Sequence, residues 1–259
     1  MILQNNSMKI IVKSVLIFSL LAFFVYGCNT NKTLTLDDVI QKNIKARGGA
    51  ENWAKVKNIT MDGIYVSFSE PAPFKIWRQR PDLYRFDSTR INKFVTCVYD
   101  GQNAWWTNPL MGPPHEKPRI IPEQNNLDKV TLRERFFEPV FWNYTEKSNH
   151  VELQGTEIFD DKDCYKLKVT LADSTIEFWY IDAESFLVVG MSGDTYDFGM
   201  KVSLETFFSN YEDVDSLKFP FLIESEYGTR YRSMEIENIK INTEIDPSVF
   251  VMPESIEGK

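Results

Sequence analysis

Residues 164–171 read CYKLKVTL. After Cys164 the side chains alternate, with apolar ones at Tyr165, Leu167, Val169 and Leu171 and polar ones at Lys166, Lys168 and Thr170. Successive residues of a strand point to opposite faces of a sheet, so the pattern predicts one buried face and one wet face. Such a strand is typical of an antiparallel sheet that covers a core on one side.

Segments with the same period of two lie on both sides of this stretch. In the first half, a strand is predicted to start at Asn58, and further strands are predicted at Phe74–Arg80, Leu83–Ser88, Phe94–Tyr99 and Asn103–Thr107. The second half starts near His150 and, after residues 164–171, continues with strands at Ser174–Ile181, Phe186–Met191, Met200–Tyr211, Phe219–Tyr227 and Arg230–Ile241. The sequence therefore indicates about eleven strands. No repeat or linker divides them, which favours a single domain.

Two helical segments precede the strands. Thr35 is a suitable N-cap, apolar residues follow at helical spacing, and Gly48-Gly49 ends the helix; Ala50–Val56 continues with a shorter helical piece. A later helix is predicted over Leu127–Phe137. A long meander with one apolar face and few helices favours a mainly β (α+β) fold in which the sheet curls and its concave face closes over the helices.

The N-terminus has the pattern of a bacterial lipoprotein signal. Lys9 and Lys13 precede an apolar run that is too short for a stable membrane span, and the run ends with Gly27 before Cys28. We expect residues 1–27 to be a signal peptide, Cys28 to carry the lipid, residues 28–34 to form a tether and residues 35–259 to form the domain. The alternative is a plain secretory signal with an incidental cysteine.

Composition narrows the class of function. The formal charge of −8 becomes −10 when Lys9 and Lys13 are removed with the signal, because no acidic residue leaves with them. An acidic chain is a poor candidate for a nucleic-acid partner. The tether lacks an aspartate next to Cys28, so we expect lipid anchoring at the periplasmic face of the outer membrane.

The usual catalytic and metal-binding motifs are missing from the sequence. His115 and His150 lack ligand spacing, and the run around Ser192 is not a nucleophile elbow. The acidic run 160–163 is interpreted as a solvated hairpin turn. We therefore expect no enzyme activity, no metal and no cofactor; a hydrolase that uses Ser192 or His150 is the weakest alternative. Cys97 and Cys164 either form a disulfide, which the periplasm permits, or remain two buried thiols.

Three motifs resemble the LolA/LolB-like outer-membrane lipoprotein-sorting family, in the form found in Bacteroidetes-type lipoproteins. They are WRQRPDLY at 77–84, YDGQNAWWTNP at 99–109 and DPSVFVMP at 246–253. Together with the segments at 45–53 and 151–183, they extend the resemblance over nearly all of the mature chain.

The resemblance implies a single curved antiparallel half-barrel, lidded by helices, with an apolar cavity for acyl chains. By position, Arg80 is the residue that latches the lid, with Trp77 and Phe74 at the cavity wall or in strand packing. Charge-assisted hydrogen bonds of about 1.5–3 kcal/mol would suit such a latch. A solvated arginine on the outside of the sheet is the alternative.

The family's lipid-anchored receptor inserts an apolar loop residue into the membrane, and Leu110 and Met111 are the candidates here; an ordinary, partly buried loop is the alternative. The expected function is binding of acyl chains of lipids or lipoproteins by a membrane-anchored protein, in outer-membrane lipoprotein localisation. The alternative is an envelope-stress sensor or assembly subunit that has an envelope protein partner and performs no lipid transfer.

Overall fold

The computed structural model describes residues 34–67, 70–121, 137–197 and 200–253. The signal peptide, Cys28 and nearly all of the helix predicted over 127–137 lie outside these residues. Thirteen strands are present: β1 Asn58–Ser67, β2 Glu70–Gln79, β3 Leu83–Arg90, β4 Lys93–Tyr99, β5 Ala104–Thr107, β6 Arg119–Ile120, β7 His150–Phe159, β8 Lys162–Thr170, β9 Ile176–Asp182, β10 Val188–Asp197, β11 Met200–Val214, β12 Leu217–Tyr227 and β13 Arg230–Ile241.

All thirteen strands form one antiparallel sheet in the order β6-β5-β4-β3-β2-β1-β13-β12-β11-β10-β9-β8-β7. Consecutive strands are neighbours within β1–β6 and within β7–β13, and the pairing of β1 with β13 joins these two halves of the meander. The sheet is open, because β6 and β7 are its two edges. The predicted mainly β fold with one antiparallel half-barrel sheet is confirmed. The strand count is thirteen rather than about eleven, in part because the two-residue β6 is too short to show a period.

The alternation from which the fold was predicted is present in β8. Leu167 and Val169 are fully buried, while Lys166 and Lys168 are only partly covered. Cys164 is also fully buried, but it packs on the opposite face in a cluster with Tyr180. That second cluster explains why Cys164 departs from the simple apolar–polar pattern.

Cross-strand register defines the two faces of the sheet. Gly63, Phe74 and Ser88 are partners across β1, β2 and β3, and this face is called the inner face. Phe219 of β12 falls on the same face by strand register, and there it contacts Trp53 of a helix with ring centroids 5.3 Å apart. The helices therefore cover part of the inner face. The opposite, outer face carries Trp105, which is covered by the short 3₁₀ helix Pro247–Phe250.

Helix α1 (Leu36–Ala46) is followed by the short helix α2 (Ala50–Ala54). Thr35 forms the expected N-cap, since its hydroxyl accepts from the Asp38 amide at 3.2 Å and the Asp38 carboxylate accepts from the Thr35 amide at 2.9 Å. Gly48 ends α1 with a φ of +108°, and a Cβ there would lie 2.3 Å from the Ser216 carbonyl oxygen. Only glycine allows this close approach of the helix end to the β11–β12 turn.

Two buried polar side chains fix α1 to the sheet. Asn43 donates to the Phe186 carbonyl at 2.7 Å and accepts from the Trp142 indole at 2.8 Å. Arg47 donates to the Lys218 carbonyl at 2.6 Å. Both anchor points lie in or beside turns at one end of the strands. None of the helices in the described ranges is both long and apolar enough to cross a membrane.

Candidate functional site

Arg80 connects the end of β2 to the end of helix α2. Its Nε donates to the Val56 carbonyl oxygen at 2.7 Å, and one terminal nitrogen lies 3.3 Å from the Trp53 carbonyl oxygen. Carbonyl groups at a helix C-terminus lack intrahelical partners and carry the negative end of the helix dipole. A guanidinium is therefore a favourable donor at this position, and it holds α2 against the sheet.

A second set of contacts fixes the same guanidinium from the side of the segment that precedes β7. Arg80 forms an ion pair with Glu138, and its guanidinium carbon lies 4.9 Å from the centre of the Phe137 ring. The Arg80 side chain is 37 % exposed and the Glu138 side chain 17 %. Arg80 thus joins three parts of the chain: β2, α2 and the segment around residue 138.

Further charges lie beneath this contact. Burial, helped by the charge of Arg80 and opposed by that of Glu138, lowers the pKa of Lys147 to about 8. The Lys147 ammonium donates to the Pro139 carbonyl at 3.0 Å. Burial also lowers the pKa of Arg47, and it raises the pKa of Tyr211 to about 12. Glu138 interacts electrostatically with both Lys147 and Arg47.

Phe74 and Trp77 lie on opposite faces of β2. Phe74 is buried on the inner face and stacks on Phe86 with centroids 6.3 Å apart. Trp77 is a partner of Arg85 across β3, and it packs on the outer face against the cluster that contains Trp105. Of the two residues expected at the cavity wall or in strand packing, Phe74 faces the interior and Trp77 lies under the C-terminal segment.

A pocket of about 240 Å³ opens at the end of the strands opposite to Arg80. Its apolar and aromatic lining comes from Tyr65, Phe86, Val95, Leu110 and Tyr227, and its polar lining from Ser67, Ser88, Arg90, Asn108 and Arg232. Phe74 lies directly behind this lining, because it stacks on Phe86. The volume is slightly below the range of about 300–1,000 Å³ typical of small-ligand sites.

The two arginines of the pocket were not identified from the sequence. Ser88 and Arg90 follow Phe86 at intervals of two on β3, and Arg232 precedes Met234 at the same interval on β13. They therefore lie in the phase of the inner face, where an apolar residue is expected. A charged side chain at an inward-facing position of the alternation is the sequence signal that could have identified them.

Leu110 and Met111 belong to a short 3₁₀ helix, Pro109–Met111, beside the pocket. Leu110 is 40 % exposed and Met111 58 %. Ile91 and Phe94, at the β3–β4 hairpin, are exposed as well, and β4 contacts the 109–111 segment. These four side chains give this end of the sheet an exposed apolar surface.

Cys97 and Cys164 do not form a disulfide with each other. Cys97 lies on β4 and Cys164 on β8, near opposite ends of the strand order. The disulfide alternative is therefore not what the structure contains. Burial raises the pKa of the Cys164 thiol to about 11, and its sulfur contacts the Phe159 carbonyl oxygen at 4.0 Å.

The polar residues considered for chemistry have structural partners or are exposed. The Ser192 hydroxyl contacts the Tyr180 hydroxyl at 3.1 Å on the sheet, and His150 is an exposed residue at the start of β7 whose nearest acidic partner is Glu152 at 3.9 Å. Within the part of the chain that the structure describes, no group of three or more histidine, cysteine and acidic side chains could hold a metal ion.

No protein-family model matches the sequence, and a search of curated proteins gives no significant match. Solved structures do match. A LolA superfamily protein from Nitrosomonas europaea aligns with a TM-score of 0.55 at 12 % identity, over 84 % of this chain and 98 % of that one. A DUF1329 family protein from Desulfovibrio piger aligns with a TM-score of 0.58 at 14 % identity, over 83 % and 96 %.

A domain from Vibrio parahaemolyticus described as a putative outer membrane lipoprotein-sorting protein also aligns, with a TM-score of 0.53 at 12 % identity, over 82 % and 94 % of the two chains. At these identities the match establishes the fold alone. It agrees with the three sequence motifs at 77–84, 99–109 and 246–253.

Proposed function

This chain has a LolA-like fold, and from that premise we propose that it is a membrane-anchored periplasmic lipoprotein that binds acyl chains of lipids or lipoproteins. Cys28 is the proposed lipid-attachment residue, and the periplasmic face of the outer membrane is the proposed location. The protein would take part in lipoprotein localisation and perform no chemistry. Two of the solved structures with this fold carry LolA or lipoprotein-sorting names, which supports the proposal by analogy.

The contact between Arg80 and helix α2 is the observation that carries this proposal. α2 covers part of the inner face, and Arg80 binds the Trp53 carbonyl within α2 and the Val56 carbonyl just after its end. We propose that this contact is a latch. When it opens, α2 leaves the sheet and exposes the aromatic side chains beneath it, among them Phe219. An acyl chain that occupies this face would replace the contacts of the helix.

The energy of the latch fits a lid that opens and closes. A charge-assisted hydrogen bond contributes about 1.5–3 kcal/mol when shielded, and less at a side chain that is more than a third exposed, as Arg80 is. Two such bonds and a partly screened ion pair bias an equilibrium without fixing it, since about 5.5 kcal/mol is needed to move a lid from 1:99 to 99:1.

The pocket at the other end of the inner face supports the same proposal. Its apolar lining, from Tyr65, Phe86, Val95, Leu110 and Tyr227, offers hydrocarbon contact. The exposed Leu110 and Met111 beside it are the proposed membrane-contact residues. They place apolar side chains where a chain leaving a bilayer would reach the pocket.

Native mass spectrometry of the protein purified from its own membranes tests the proposal. We expect a mass increase on Cys28 that corresponds to lipidation, and a separate non-covalent species heavier by the mass of an acylated ligand. A matched C28A variant should lose the covalent mass and keep the non-covalent one. A protein that carries no acylated ligand and takes up none when mixed with lipid vesicles would contradict acyl binding.

A further inference from the structure

The pocket at the Ser67 end of the sheet has a polar side as well as an apolar one. Arg232 is the cross-strand partner of Ser67 on β13, and Arg90 reaches from β3 to donate to the Ser67 carbonyl oxygen. Arg90 from β3 and Arg232 from β13 therefore both lie at the Ser67 end of β1. They line the same pocket, and no acidic residue is among the ten that line it.

The guanidinium of Arg232 is fixed in orientation. It lies over the Tyr227 ring with its carbon 4.2 Å from the ring centre. A cation above an aromatic face is attracted to it, while the N–H groups in the plane of the guanidinium remain available as donors. Its Nε is buried and has no hydrogen-bond partner among the described residues. A donor that is buried without a partner is destabilising.

Two neutral polar groups are in the same situation. Ser88 is 2 % exposed, and within the part of the chain that the structure describes its hydroxyl has no hydrogen-bond partner. The side-chain oxygen of Asn108 is buried and also lacks a partner in the described ranges. The Ser88 hydroxyl can rotate to donate, and rotation of the Asn108 amide can present its NH₂ group instead of its oxygen. Buried polar groups normally have partners, so this cluster of donors and acceptors around one pocket is suited to a polar ligand group.

We propose that this pocket binds the anionic head group, a carboxylate or a phosphate, of an amphipathic acyl ligand. Arg90 and Arg232 provide the charge, and Ser88 and Asn108 add hydrogen bonds. The chain of the ligand lies along Phe86 and the other aromatic and aliphatic lining. The inference rests on the proposed function and extends it, because it makes the protein selective for ligands with a negative head.

Calorimetric titration with matched ten-carbon probes tests the head-group site on the chain that starts at residue 29, which retains the complete compact unit Thr35–Lys259. The probes are decanoate, decyl phosphate, 1-decanol and inorganic phosphate. We expect at least one of the two anionic probes to bind about tenfold or more tightly than 1-decanol. That preference should weaken as salt is added, because charges are screened. Comparing the affinities for decanoate and decyl phosphate identifies the preferred head group.

Variants separate the head-group site from the rest of the protein. R232Q should bring the affinity for the anionic probes down to that for 1-decanol and leave 1-decanol binding unchanged. R90Q should act in the same direction but also loses a structural bond to Ser67, so R232Q is the primary variant. R119Q, at an exposed arginine of β6, is the matched control and should bind like the wild type.

The outcomes are distinct. Equal binding of decanol and both anionic probes would overturn the head-group site and leave acyl binding in place. Binding of none of the three ten-carbon probes would overturn both proposals. Inorganic phosphate that binds as tightly as decyl phosphate would show an anion site without an acyl ligand, and would also overturn the inference.

Discussion

The guanidinium of Arg80 donates to the carbonyl oxygen of Val56 across 2.7 Å, and so joins the end of a central strand to the end of a covering helix. The sheet is rigid by comparison, because each interior strand is paired on both sides. Helix α2 has only five residues, too few to be stable by itself. Its position therefore depends on tertiary contacts such as this one.

Replacing Arg80 should make the inner face easier to open. We expect R80L to bind a fluorescent acyl probe about tenfold more tightly than the wild type, since losing the latch lowers the cost of opening by about 1.4 kcal/mol. The same change should lower the free energy of unfolding by about 1–2 kcal/mol. Probe titration and urea unfolding measure the two effects.

R85L is the matched control for this experiment. Arg85 also donates to a backbone carbonyl, that of Val249 at 2.6 Å, but on the outer face. We expect R85L to lower stability and leave probe affinity unchanged. Equal affinity of R80L and wild type, at similar loss of stability, would mean that Arg80 is a structural tie only.

Lys147 should make stability depend on pH. Its pKa is about 8 in the folded chain against an ordinary 10.5, so between these values the unfolded chain binds more protons and folding becomes more favourable as pH rises. Below about pH 8 the cost of burying the charge is fully present. We expect K147M to be more stable than the wild type by about 2 kcal/mol at pH 7, and the difference to vanish near pH 10.5.

Urea unfolding at pH 7, 8.5 and 10 measures that difference, and comparing K147M with wild type cancels the other titrating groups. Cys164 is one of these groups. Its effect on stability has the opposite pH dependence, because its raised pKa makes folding less favourable above about pH 9. K240M, at an exposed lysine of β13, is the control. A difference between K147M and wild type that is constant with pH would contradict the assignment.

The two thiols should differ in reactivity. Cys164 is fully buried with a pKa of about 11, whereas Cys97 is half-buried. Because only the thiolate reacts, we expect a disulfide reagent at pH 8 to modify Cys97 at least about a hundredfold faster than Cys164 in the folded chain that starts at residue 29. In urea both should react at similar rates. A mass lower by two hydrogens before treatment would reveal a disulfide instead.

The proposed membrane-contact residues can be tested with lipid vesicles. Met111 is 58 % exposed beside the pocket, and M111S should weaken partitioning of the unlipidated chain onto vesicles about threefold to tenfold, in line with about 1 kcal/mol for a partly inserted side chain. I158S is the matched control, since Ile158 is 64 % exposed on the distant edge strand β7. Equal loss in both variants would point to general surface hydrophobicity.

The fold was predictable because each strand carries its own signal. Alternation at 164–171 and the glycine pair after α1 are local features, and both are found in place. The period of two also determines which face of β2 each side chain occupies. Phe74 and Trp77 are three residues apart, so a strand must place them on opposite faces.

The head-group pocket could not be predicted, because it depends on distant parts of the chain. Arg90 and Arg232 are 142 positions apart in sequence, and they meet only because β1 pairs with β13. A register shift at Asp62/Gly63 then fixes which β13 side chain lies opposite Ser67. Whether Cys97 and Cys164 form a disulfide could not be predicted for the same reason, since the strand order determines the distance between them.

Titration of the chain from residue 29 with a fluorescent acyl probe tests the central claim most directly. The account predicts saturable binding of one probe per chain at micromolar concentration, displaced by an unlabelled acyl ligand and strengthened by R80L. An absence of saturable binding at micromolar concentrations, in wild type and in R80L alike, would contradict the claim that this sheet binds acyl chains.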